Sequence, residues 1–563
     1  MMFARWINTA WYLSCHKEWR RFKDALRNTR AAQEQILLDL LRHNSDSDYG
    51  KRYRFSEIMN ADEFRQRVPI VRYEGLTGYV ERIAQGEQGV LTTECVERLV
   101  PTGGSTGGPK LVPYTESLKR AFRRAIAVWV CSTFQTHPNA MHGRSYWSIT
   151  PMGSSQRKTP GGLPIGFESD SEYLSRWSQR IASRLILPPP QLAQLSSIEN
   201  ARYANLLFML ACQDLALISV WSPTFLTALF HQFDDRAEKL FDDLRDGVIR
   251  WPQPEAGLLE CKVLLRPDPP RASALRRQFN QAVSRADFFR DCWPKLALVS
   301  CWADGNSASY LNGVEQLLPF ARIQPKGLLA TEAVVSIPWY DGAASALAIR
   351  SHFFEFVSQL ETSGQGQHSS LLAHELRVGE RYRVVVTTGG GMYRYDLGDV
   401  VEVSGFEAEC PLIRFVGRAE ATSDMVGEKL HEHQVRMAVD DVLVQEGLRL
   451  GLRVLVPRSK PTPWYSLVLS RDVELPEARR AGVATRLDDL LRRNPQYDLA
   501  RKLNQLAEIQ VDIVPLTTAE ICERFEDWQS QMGRRVGEIK ASVLDYRGDW
   551  SGFLAALRSS GCD

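Results

Sequence analysis

The stretch Val100–Thr115, VPTGGSTGGPKLVPYT, gathers glycine, serine and threonine around a single lysine. Three chemistries compete for it. Its first half reads G-x-S-x-G, a hydrolase nucleophile elbow with Ser105 as nucleophile; that motif needs a helix to start directly beneath the serine. Gly108, Pro109 and Pro113 stand in the way, so no helix is expected before about Thr115. Its middle reads G-x-x-x-x-G, but the lysine arrives one residue late and Leu111 occupies the place of a magnesium-binding hydroxyl, so a P-loop is not expected either. The third reading is a flexible loop that wraps ATP phosphates with backbone N–H groups and hydroxyls, with no helix behind it. A plain hairpin turn needs only two to five residues, and Thr102 to Lys110 exceeds that.

Two other stretches extend the nucleotide reading. In KGLLATEAVVSIP, Thr331 and Glu332 stand at the start of an apolar strand, where a carboxylate needs a cation or hydrogen bonds, so Glu332 is a magnesium candidate. In GGGMYRYDLGDVVEV, Asp399 lies between a tight turn and a strand, placed to accept both ribose hydroxyls of a nucleotide.

The remaining chain frames these motifs. Its 563 residues exceed one hydrophobic core, so at least two domains are expected. With 69 Lys plus Arg against 67 Asp plus Glu, no global field recruits nucleic acid or an anionic membrane. The ten cysteines are scattered, without C-x-x-C pairs, as in a reduced cytoplasmic protein. No window approaches a membrane span, and the N-terminal MMFARWINTAWYLSCHKEWRRFKD reads as an amphipathic helix docked on the body. Helices are expected over 31–41 and at NADEFRQR before Pro69, and one helix through YANLLFMLACQDLALI. Buried strands are expected at SYWSI, LALVSCW and RVVVTT. The alternation argues for an α/β fold. From about Glu432 to Arg547 the order helix, strand, strand, helix, strand describes a smaller α+β module, with a hinge near Gly417 to Asp424. His431 and His433 lack a third metal ligand and read as a surface pair.

The motifs TGGSTGGPK, LLATEA, YRYDLGD and FVGR, in this order, resemble those of the adenylate-forming superfamily of acyl-CoA synthetases and luciferase. FRQRVPIVRYEGLTGYVERIAQGEQGVLT, WPKLALVSCWADGNSASYL, GLLATEAVVSIP and GMYRYDLGDVV resemble more specifically the auxin-responsive-promoter family of acyl-acid amido synthetases, in its bacterial branch. The resemblance runs from about Gln33 to Trp550. It implies a large multi-subdomain N-terminal α/β domain, residues 1–417, that binds ATP and an acyl acid, and a mobile C-terminal α+β domain, residues 418–563. It implies that Ser105, Thr106, Gly107, Thr331 and Tyr395 contact the nucleotide, that Glu332 holds Mg2+, that Asp399 binds ribose, and that Arg418 sits at the hinge. Lys540 in VGEIKAS matches the family's lysine for the adenylation step, and Lys429 in VGEKLHE is a second candidate cation. The implied reaction activates a carboxylic acid as acyl-adenylate and passes it to an amine or amino acid; an acyl-CoA synthetase and a non-catalytic binding relative are the alternatives. The expected partners are a small carboxylic acid and an amine or amino acid, with no nucleic acid and no membrane span, and the chain is expected to work as a monomer in the cytoplasm. Three positions depart from the pattern. Leu328 replaces the usual adenine-stacking aromatic, leaving Trp302 or Tyr310 for that role; Asp396 stands where plant relatives carry arginine; and Ala541 and Ser542 follow Lys540 in place of Pro-Arg.

Overall fold

The computed structural model describes residues 2–102, 110–148, 158–166, 185–195, 197–254, 265–340, 344–358, 370–419, 421–459, 462–532 and 542–559. Ser105, Thr106, Gly107 and Lys540 lie outside the described residues. The chain forms two compact units, one of Met1–Ser219, Glu238–Cys301 and Phe320–Phe415, the other of Val220–Ala237, Trp302–Pro319 and Val416–Asp563.

In the first unit the opening helix, Met2–Leu26, buries Ala4, Asn8, Trp11, Cys15, Trp19 and Phe22. That spacing of three and four draws one stripe along a helix, so the apolar face docks while Trp6 and Leu13 point outward. Asn8 is accommodated because its Nδ2 donates to the carbonyls of Met141 and Gly143, both at 2.9 Å. Helix Thr29–His43 starts where Asn28 accepts from the Ala31 N–H. Helix Ala61–Arg67 ends, as expected, just before Pro69.

A parallel five-stranded sheet runs in the order Ile186–Leu187, Arg144–Trp147, Leu215–Ser219, Leu298–Cys301, Arg322–Pro325. The chain leaves Arg144–Trp147 first to one side and then to the other, which puts a topological switch point beside that strand. The expected strands at SYWSI and LALVSCW are both present in it. The expected single helix through YANLLFMLACQDLALI is not: the helix is Ile198–Ala211, and Leu215–Ser219 is a strand. Cys212 turns the backbone extended, at φ −90 and ψ 105. All five strand residues are buried between parallel neighbours, which erases the period-two alternation and leaves an apolar run that imitates a buried helix.

A seven-stranded sheet has the order Leu371–Leu372, Phe353–Ser358, Arg381–Thr387, Tyr395–Glu407, Cys410–Arg418, Ala344–Leu347, Ser336–Trp339, with antiparallel pairing. Its register slips between Arg383 and Val385: Arg383 faces Val400 while Val385 faces Asp396, so Leu397, Gly398 and Asp399 bulge opposite Val384 alone.

The second unit follows the order read from its sequence. Helix Glu432–Gln445 leads to strands Arg453–Arg458 and Trp464–Ser470, helix Glu477–Leu491, and strand Gln510–Val514 laid parallel to Trp464–Ser470. Helices Pro495–Lys502, Thr518–Gln531 and Asp549–Ser559 were not anticipated. The sheet has two apolar faces, each covered. Leu455, Leu467 and Leu469 pack with Val435, Val439 and Leu487. Val454, Val456 and Val468 pack with Phe525, Trp550 and Tyr310. The backbone at Leu544 runs parallel to Leu455, with the Leu455 N–H 2.7 Å from the Val543 carbonyl.

Candidate functional site

The stem of the glycine-rich loop is a hairpin. Arg98–Thr102 and Lys110–Tyr114 pair antiparallel, with Thr102 opposite Lys110. The next helix, Glu116–Thr136, is capped by Thr115, whose side chain accepts from the Leu118 N–H at 3.2 Å. A strand thus follows the loop, where a nucleophile elbow or a P-loop requires a helix. The loop Gly161–Gly166 adds to the other side of this stem, with Leu99 N–H on the Pro164 carbonyl at 3.0 Å.

Three consecutive residues at the end of the stem tie the motifs together. Tyr114, fully buried, donates its hydroxyl to the Thr331 carbonyl at 2.6 Å. The Thr115 hydroxyl donates to the Gly389 carbonyl at 2.8 Å. A Cβ on Gly390 would lie 2.6 Å from the Pro113 carbonyl oxygen, so only glycine lets the run before YRYDLGD approach this closely.

Glu332 is not the first residue of a strand. It sits at the tip of a tight turn closed by pairing of Leu329 with Val334 and by the Ala330 N–H on the Ala333 carbonyl at 2.9 Å, and strand Ser336–Trp339 starts four residues later. The turn leaves Glu332 only 7% exposed. Its charge is felt at Tyr73, whose hydroxyl is raised above the usual range mainly by burial, with the Glu81 and Glu332 carboxylates adding to it. Tyr73 accepts the Leu111 N–H at 2.7 Å, and the Lys110 ammonium lies 5.8 Å from its ring centre, so one phenol touches the base of the glycine loop and the field of the acidic turn.

Asp399 lies in the bulge, directly after Gly398 at φ 72, and is 3% exposed. The bulge re-aims this carboxylate out of the regular pleat. Tyr395, also buried, begins the strand and pairs with Val71. Asp396, the reversal of the plant arginine, is compensated: Arg383 donates to its Oδ2 at 3.0 Å, Arg72 lies at 3.6 Å, and the Gly398 N–H binds its Oδ1 at 2.9 Å.

The remaining predicted residues belong to the second unit. Arg418 ends strand Cys410–Arg418. Lys429 is exposed in the hairpin joining Thr422–Ser423 to Leu430–His431, at φ 43, with Asn494 donating to its carbonyl at 3.1 Å. His431 bonds Thr422 at 2.8 Å and His433 bonds Arg436 at 3.1 Å. Among the described residues no three His, Cys, Asp or Glu side chains converge on a metal position. Tyr310 is not a platform for adenine, because its ring packs into the core with Leu452, Val454 and Trp550.

The sequence reading missed Tyr73, Tyr114 and the pair Gly389–Gly390. The three glycines before YRYDLGD carried a signal for Gly389 and Gly390, whereas neither tyrosine stands out from the residues around it. A cavity of about 200 Å3 elsewhere in the first unit, lined by Arg30, Glu34, Asp62, Phe354 and His374, contains none of the motif residues. No helix among the described residues is long and apolar enough to cross a membrane.

Known proteins share this organisation. Residues 18–323 match the GH3 family N-terminal domain, and residues 345–418 match the GH3 family central domain. The chain is 26% identical to jasmonoyl–L-amino acid synthetase JAR6 of Nicotiana attenuata over 442 residues, 74% of either protein. It is 24% identical to indole-3-acetic acid-amido synthetase GH3.3 of Arabidopsis thaliana over 471 residues, 80% of this chain and 78% of that protein. Its fold superposes on the acyl acid amido synthetase AtGH3.15 in complex with 2,4-DB with a TM-score of 0.82, at 19% identity, covering 97% of this chain and 96% of that one. With the N-terminal match alone spanning more than half of its length, this chain belongs to the GH3 family.

Proposed function

We propose that this protein is an ATP-dependent acyl acid amido synthetase. The observation that carries the reading is the junction at Pro113–Thr115, where the stem of the glycine loop, the turn bearing Glu332 and the glycines leading to Asp399 are joined by buried contacts in a single unit. In the first step a carboxylate oxygen of the acid attacks the α-phosphorus of ATP, the bond to the bridging oxygen breaks, and pyrophosphate leaves with the electron pair. In the second step an amine nitrogen attacks the acyl carbon, AMP leaves, and the amine proton passes to solvent. One relative is named a jasmonoyl–L-amino acid synthetase and another an indole-3-acetic acid-amido synthetase, which supports an amide product and, from the first, an amino acid as acceptor.

Ser105, Thr106 and Gly107 would meet the phosphates, Thr331 and Tyr395 would contact the nucleotide, and Asp399 would accept the ribose hydroxyls. Arg418 would sit at the hinge, and Lys429 and Lys540 would supply cations from a mobile C-terminal domain, residues 418–563, with residues 1–417 as the adenylation domain; the compact second unit takes in Val220–Ala237 and Trp302–Pro319 as well. Glu332 fits magnesium: it is a hard oxygen donor on a braced turn, and Mg2+ is commonly held by one or two carboxylates together with substrate phosphates rather than by a protein cage. When bound there, the ion neutralises phosphate charge. The eight cysteines among the described residues are free thiols, which supports action in the cytoplasm.

The test is acid-dependent exchange of labelled pyrophosphate into ATP over a panel of aryl and alkyl carboxylic acids, followed by an amino-acid screen on each acid that scores. Amide product is expected. Absence of exchange with every acid, or thioester from CoA formed in preference to amide, would remove the reading.

A further inference from the structure

Resting on that reading of Glu332, we infer that His352 is a positioning residue for the metal-binding turn, holding Glu332 in place through the Val334 backbone. His352 Nε2 accepts the Val334 N–H at 3.3 Å, two residues beyond Glu332. On the other side of Glu332, Tyr114 binds the Thr331 carbonyl at 2.6 Å. The turn is thus gripped at a carbonyl just before the carboxylate and at an amide just after it, by side chains from two different elements.

The imidazole itself is fully buried, with Phe122 and Phe354 each 6.0 Å away edge to face. This lining is apolar and would accept a purely apolar side chain of similar size. Only the ring nitrogen gives histidine an advantage, and it is retained at a cost, since Nδ1 is buried without a hydrogen-bond partner. A nitrogen that accepts an amide proton carries none of its own, so the ring is neutral and its hydrogen is on Nδ1. Burial, with the Arg124 guanidinium nearby, depresses its pKa to about 3, so the acceptor persists throughout the working range. A buried acceptor of this kind leaves the turn's amide unsatisfied when removed, and groups that orient a metal ligand typically contribute about 10- to 100-fold in metal affinity.

His352→Phe keeps the ring and deletes the acceptor; His352→Gln places a carbonyl oxygen near the position of Nε2. Affinity for Mn2+ in the presence of ATP, followed by water-proton relaxation, is expected to fall about 10-fold in His352→Phe and to return to within about twofold in His352→Gln, while metal-free ATP binds both alike. His352→Met, which fills the space without accepting the amide, must match His352→Phe and serves if the phenylalanine variant does not fold. Wild-type Mn2+ affinity in the acceptor-less variants, or equal loss in His352→Gln, overturns the inference while leaving the ATP site intact. A wild-type protein that binds no Mn2+ with ATP overturns the nucleotide reading and this inference together.

Discussion

The turn bearing Glu332 and the hairpin bearing Lys429 are braced in opposite ways. Around Glu332 the bracing reaches the functional end: the carboxylate is nearly buried, and its neighbours on both sides are held by Tyr114 and His352. In the second unit the bracing stops at the stem. Glu428 is fully buried, accepts the Met425 and Val426 N–H groups at 2.8 Å and bonds Tyr465, yet the next residue, Lys429, projects from a left-handed backbone into solvent. On the function proposed above, the first unit would hold Glu332 ready before substrate arrives. The second sets the exposed Lys429 on a firm base, as would suit a group needed at one step only.

The sharpest way to break this contrast is at Glu332. Glu332→Gln keeps the shape of the turn and removes its charge, so acid-dependent pyrophosphate exchange should fall by about 10²- to 10³-fold with thermal unfolding unchanged. Exchange within a few fold of wild type would take Glu332 out of the site. Lys540→Ala tests the other half of the contrast. It should lose about 10²-fold or more in adenylation but convert a supplied acyl-adenylate and amine at close to the wild-type rate. Equal loss of both half-reactions would mean a damaged second unit rather than a lysine dedicated to one step. The smallest effect is expected at Lys429, where an exposed side chain contributes weakly in water. Lys429→Ala should stay within about twofold in exchange, and a tenfold loss would show that this tip closes on substrate.

How much of this was legible follows from where each signal resides. The second unit's three strands and two of its helices could be read in order because the strands are short, bounded by Gly, Pro and Ser, and flanked by helices with clear apolar faces. Leu215–Ser219 was misread because a strand covered on both faces carries no alternation. The motif residues announced themselves through chemistry that is costly to bury, such as Glu332 and Asp399. Tyr114 and His352 did not, since an aromatic or imidazole in an apolar run looks like core until a backbone atom 217 or 18 residues away is placed against it. The departure at Asp396 was visible in sequence, but its compensation by Arg72 and Arg383 needed the pairing of distant strands.

The second unit borrows two segments, Val220–Ala237 and Trp302–Pro319, from the middle of the chain. Tyr310 completes one face of its sheet, and Asn306 donates to the buried Glu432 at 2.6 Å, the same carboxylate oxygen that receives the Val543 N–H. A fragment cut near residue 417 therefore carries an open core face and a buried Glu432 that has lost its Asn306 partner. During synthesis on the ribosome Tyr310 emerges more than a hundred residues ahead of Leu452, Val454 and Trp550, so this face of the core closes only when the C-terminal segments have been made. For protein engineers the same connectivity means that exchanging the terminal module between relatives succeeds only when the two internal segments travel with it.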